Sequence, residues 1–92
     1  MQLEVVSPER VLLRGEASSV VLPGVDGKFQ LLNNHAPIIS ILDEGELRIA
    51  LSEKLGKGFA GNFEENKGGE VTLNIAGGVV EMNNNKAIIL VD

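Results

Sequence analysis

Apolar residues along this chain recur at every second position far more often than at every third or fourth, in short runs bounded by Gly, Pro, Asn and Ser. That rhythm predicts β-strands. In "ELRIALS", Leu47, Ile49 and Leu51 fall on one face, and Glu46, Arg48, Ala50 and Ser52 on the other, because strand side chains alternate across the pleat. "EVTLNI" repeats the pattern with Val71, Leu73 and Ile75 inward, and "QLEVV" puts Leu3 and Val5 on one side. "VLLRGEA", "SSVVLP", "KFQLL", "IISIL", "VVEM" and "AIILV" read as further strands. They are separated by turn signals at Ser7-Pro8, Pro23-Gly24, Asp26-Gly27, Asp43 to Gly45, Gly77-Gly78 and "NNN". The start of "SPERVLL" imitates a helix cap, but Val11 to Leu13 followed by Arg14-Gly15 suits a strand better.

Eight or nine short strands joined by tight connections predict an all-β chain, an antiparallel sandwich or a flattened barrel, since parallel pairs need long crossovers. Residues 1–92 are expected to form one domain. Ser52 to Glu70 breaks the rhythm, being Gly-rich and charged. It is read as an extended hairpin around Ala60-Gly61-Asn62 with Phe59 and Phe63 facing each other, a mobile loop being the alternative. "IISIL" is unusually apolar, so either both its faces are buried or one is core and the other is covered by a partner. The Gly77-Gly78 pair implies a bulge or a close strand crossing.

Composition narrows the chemistry. With three Phe and no Trp or Tyr, the core must be aliphatic and thin. Eight basic against thirteen acidic residues give a formal charge of -5, which argues against nucleic acid as a partner. The absence of cysteine removes disulfides and thiolate metal sites. No apolar run reaches the length of a membrane span and the first residues lack a signal-peptide pattern, so the chain reads as cytosolic, with any membrane association made through a protein partner. His35, the only histidine, has no His or Cys to share a metal and no nucleophile motif beside it. Its expected role is a loop hydrogen bond or a polar surface tip. No cofactor is implied. An interaction module is therefore favoured over a hydrolase using His35. A prosthetic-group carrier of the lipoyl or biotinyl kind, with Lys86 at a hairpin tip, is the second alternative.

Several spaced motifs together point to a family: "VVSPE" at Val5 to Glu9, a "DG" turn before "HAP", "GELRI" at Gly45 to Ile49, and "GGVVE" at Gly77 to Glu81 before a closing apolar strand. In this order they resemble the N-terminal domain of the epsilon-subunit family of F-type ATP synthases, called delta in mitochondria. The resemblance implies a flattened antiparallel two-sheet β-sandwich of about ten strands, which narrows the count to about eight to ten, and a non-catalytic rotor subunit of a proton-translocating enzyme. Such a subunit binds gamma and the c-ring polar loops and couples rotation to ATP synthesis at the cytoplasmic face of the bacterial plasma membrane. It also implies a c-ring side at Asp26, Gly27, Lys28, Phe29, His35, Ala36 and Pro37, and a gamma side at Ser7, Ile39 and Ser40. The family's G-x-L-G-I-L-P-G-H-A-P appears here as "GKFQLLNNHAP", with Asn33-Asn34 in place of Pro-Gly; asparagine tolerates the left-handed conformation that glycine supplies. Ser52 to Glu70 is longer than the family's hairpin. Most members continue into a two-helix domain that inhibits hydrolysis and can bind ATP, and neither activity is expected of residues 1–92.

Overall fold

The computed structural model describes residues 1–52, 64–65 and 70–92. Nine strands occur among the described residues: β1 (Gln2–Val6), β2 (Val11–Gly24), β3 (Gly27–Leu32), β4 (Ile38–Leu42), β5 (Gly45–Leu51), β6 (Glu64–Glu65), β7 (Glu70–Ile75), β8 (Gly78–Asn83) and β9 (Lys86–Val91). The all-β chain expected from the alternation, and the sandwich that the resemblance implies, are what forms. The hairpin expected at Ala60-Gly61-Asn62, with Phe59 and Phe63, lies outside the described residues.

"VLLRGEA" and "SSVVLP" are not two strands. They form the single 14-residue β2, because Gly15-Glu16 is not a turn but part of a bent, continuous strand. Residues 11–16 of β2 pair with β1 and residues 19–24 pair with β3. A register shift between Ala17 and Ser19, seen against β5, falls between the two halves. Such an irregularity is where one strand can pass from one layer of a sandwich to the other. One layer is thus β4-β8-β9-β1 with the first half of β2, and the other is β3 and the second half of β2 with β5, β7 and β6.

Among the described residues the pairing is antiparallel with one exception: β1 runs parallel to β9. The argument from short connections does not apply to this pair, since the first and last strands are joined by the rest of the chain and need no crossover of their own.

Between the layers lies an aliphatic core. Leu22, Ile49 and Leu47 on one side meet Val80, Met82 and Ile89 on the other, all at most 1% exposed. Among the described residues no Phe belongs to the fully buried set; Phe29 packs at its margin. Leu3, Val5, Leu47, Ile49, Val71, Leu73 and Ile75 are all buried, as their alternation requires.

Turn chemistry follows residue type. Val25-Asp26 closes the β2–β3 hairpin between the paired Gly24 and Gly27, and Gly27 has φ 120, a conformation costly for any residue with a Cβ. Asn84 and Asn85 both take positive φ, 51 and 57, in the two-residue turn between the paired Asn83 and Lys86, as a type I′ hairpin demands. Lys86 is therefore the first residue of β9, and the tip a carrier lysine would occupy is held by asparagines.

The turn at Asn33-Asn34 closes by a hydrogen bond from the His35 amide to the Leu32 carbonyl, 3.2 Å. Asn34 has φ 63, so asparagine does supply the left-handed residue. Asn34→Ala is expected to destabilise by about 1 kcal/mol, and Asn34→Gly by no more than a few tenths. Urea titration of the two variants checks this: equal midpoints would show that the backbone there is unstrained.

Candidate functional site

Alternation along β4 decides the question that "IISIL" raises. Leu42 is buried and Ile38 packs against the core, whereas Ile39 is 73% and Ile41 61% exposed. The strand is therefore core on one face only. Register carries the exposed face across the layer. Ile41 pairs with Val79, Val79 with Leu90 and Leu90 with Val6, while Ile39 pairs with Glu81 and Glu81 with Ile88. Val79 and Leu90 are exposed; Val6 and Ile88 are half-buried. Four strands thus present two adjacent outward rows, aliphatic except for Glu81 and, at the β1 end beside Ile88, Glu4, which is paired with Arg14. Large apolar side chains gathered on one sheet face, unlike those scattered singly, mark an interaction surface. Beside them lies an open depression of about 390 Å³ lined by Pro37, Ile38, Ile39, Glu81, Met82 and Asn83.

Of the residues assigned to a gamma side, Ile39 lies within this face. Ser7 follows Val6 at its border, closing the turn to β2: its amide donates to the Arg10 carbonyl, 2.9 Å, and its hydroxyl accepts from the Arg10 amide, 3.3 Å. Ser40 alternates with Ile39 and is turned inward with Ile38 and Leu42, half-buried, so it does not share a surface with Ile39. Ile41, Val79 and Leu90 escaped the reading of single motifs. Their signal was the apolar residue standing where alternation calls for a polar one in "IISIL", "VVEM" and "AIILV".

The seven residues assigned to a c-ring side divide into two groups. Asp26 and Gly27 stand exposed at the start of β3, with Lys28 beside them and Phe29 half-buried. A Cβ on Gly24 would meet the Phe29 ring at 2.8 Å, so that ring covers Gly24. His35, Ala36 and Pro37 follow the other end of β3, a strand of 6 residues and hence about 20 Å long. The extended strand between them keeps the two turns from forming one patch. Around His35 the neighbours are the β8–β9 turn and the first residue: the Asn34 amide donates to Asn85 Oδ1, 2.7 Å, and the Met1 amine contacts the Asn33 side-chain oxygen. His35 itself is exposed, and its Nδ1 donates to the Ala36 carbonyl, 2.7 Å, the loop hydrogen bond expected of it.

Residues 1–92 match the family described as ATP synthase, Delta/Epsilon chain, beta-sandwich domain. The chain is 35% identical over 91 residues to the ATP synthase epsilon chain of Chlorobium limicola, spanning 99% of this chain and 88% of that one. It is 36% identical over 92 residues to that of Leptospira interrogans, spanning 100% and 61%. Among solved structures it resembles a chain in the central stalk/c-ring of the Tetrahymena thermophila mitochondrial ATP synthase, with a TM-score of 0.74, 19% identity, and coverage of 99% of this chain and 62% of that one. A chain of the Euglena gracilis mitochondrial enzyme gives 0.71 and 18%, covering 97% and 48%. At that identity the solved structures share the fold. They and the Leptospira relative are longer than this chain, which spans about half to two thirds of each.

Proposed function

Because this chain belongs to the ATP synthase delta/epsilon family, matching its β-sandwich domain along its whole length, we propose that it is a non-catalytic central-stalk subunit coupling c-ring rotation to the catalytic head. Its place is peripheral, at the cytoplasmic face of the bacterial membrane, and its contact with the membrane is through the complex. The observation that carries this reading is the outer face of β4, β8 and β9, where Ile39, Ile41, Val79 and Leu90 are exposed together.

We assign gamma to that face, bordered by Ser7. A rotor element must transmit force without shearing, and a broad aliphatic contact on a sheet whose reverse side is a packed core provides a stiff seat. The polar loops of the c-ring are assigned to the Asp26–Phe29 turn. His35, Ala36 and Pro37, at the other end of β3, lead directly into Ile38 and Ile39 and are better grouped with the gamma side. Removal of His35 would then act on assembly.

Ile41→Asp tests the assignment. Ile41 is 61% exposed, so the variant should fold with an unchanged urea midpoint. Its affinity for the gamma subunit should fall at least about tenfold, since a carboxylate within a desolvated contact is uncompensated. Binding equal to that of the parent, measured by calorimetry, would remove gamma from this face.

A further inference from the structure

We propose that Glu81 sets the orientation in which the partner docks, by pairing with a lysine or arginine side chain of that partner on the outer face of β8. This rests on the reading that the face seats gamma, and it adds what chemistry that partner must bring.

The position of Glu81 carries the inference. It is an exposed carboxylate in the middle of the aliphatic rows, with Ile39 and Ile88 as its cross-strand neighbours and Val79 two residues before it on the same face. Among the described residues no ion pair or hydrogen bond engages its side chain. The nearby cations do not supply one. Arg14 is held by Glu4 at 3.2 Å. Lys86 shares with Glu81 an open depression of about 320 Å³, yet forms no ion pair with it.

Aliphatic contact is non-directional, so rows of Ile, Val and Leu attract a partner without selecting its rotation or register. One charge inside such a field does select, because covering it without a counter-ion leaves a desolvated carboxylate, while a facing cation is rewarded only in one pose. A residue present merely to keep the face soluble would be served equally well by any polar side chain. That difference is measurable.

The experiment is a calorimetric titration of gamma with the parent chain, Glu81→Gln, Glu81→Lys and Ile41→Asp, each at low and high salt. Glu81→Gln, which keeps shape and polarity, is expected to weaken binding about tenfold or more and to flatten its salt dependence; Glu81→Lys is expected to weaken it further. Reversing the charge of one gamma lysine or arginine should restore binding to Glu81→Lys. If Glu81→Gln binds like the parent with the same salt dependence while Ile41→Asp does not bind, the face stands and the role of Glu81 is overturned. If Ile41→Asp also binds like the parent, the seat itself is elsewhere and both readings fall.

Discussion

Gly78→Ala is expected to destabilise the chain by about 3 kcal/mol or more, a large share of the roughly 5–15 kcal/mol that holds a domain folded. Gly78 pairs with Leu42 on one side and Val91 on the other. A Cβ placed there would lie 2.2 Å from the Leu90 carbonyl oxygen and 3.1 Å from Val91 Cα. Both are backbone atoms of β9, so no side-chain rotamer relieves the overlap; β8 and β9 must part, and both contribute to the core. The bulge or close strand crossing expected at "GG" is instead a close backbone approach between adjacent antiparallel strands, β8 and β9 pairing in unbroken register. Gly27→Ala provides the contrast: its Cβ would meet nothing within 4 Å, leaving only the cost of a positive φ, about 1–2 kcal/mol. Urea midpoints converted with a common slope check both values. Equal losses at the two positions would mean that conformation, not strand approach, governs Gly78.

Ile49→Ala is expected to cost about 2–5 kcal/mol. Ile49 is 0% exposed and lies between Val20 on β2 and Val71 on β7, themselves buried. An aliphatic core with no fully buried aromatic ring among its described residues has no large side chain able to swing into the space, so a cavity remains. Leu32→Ala, at a residue 53% exposed, should change stability by no more than about 0.5 kcal/mol. Thermal and urea unfolding of the pair measure the difference, and a loss below about 1 kcal/mol at Ile49 would show a core that repacks freely.

The aliphatic outer face shows where single motifs stop. The family resemblance implies a gamma side at Ile39 and Ser40 together, two residues adjacent in sequence. On a strand, sequence neighbours point to opposite faces, and Ser40 is turned inward. The residues that complete the face, Val79 and Leu90, are remote in sequence and become neighbours of Ile41 only through the β4–β8 and β8–β9 registers. Glu81 could not be placed between Ile39 and Ile88 before those registers were known.

What the sequence by itself determined is local: which stretches are strands, which residues of each face the core, and where the chain turns. Period-two alternation places Leu47, Ile49 and Leu51 together whatever surrounds them, and "DG" and "NNN" encode turns through the φ values that Gly and Asn tolerate. Tertiary structure alone decided that Gly15-Glu16 continues a strand, that β1 pairs parallel with β9, and that Asp26 and His35 stand at opposite ends of β3. It also gathered scattered aliphatic residues from β4, β8 and β9 around one carboxylate. Pairing and register minimise the exposed apolar surface of the whole chain at once, a sum over distant residues that no single segment contains.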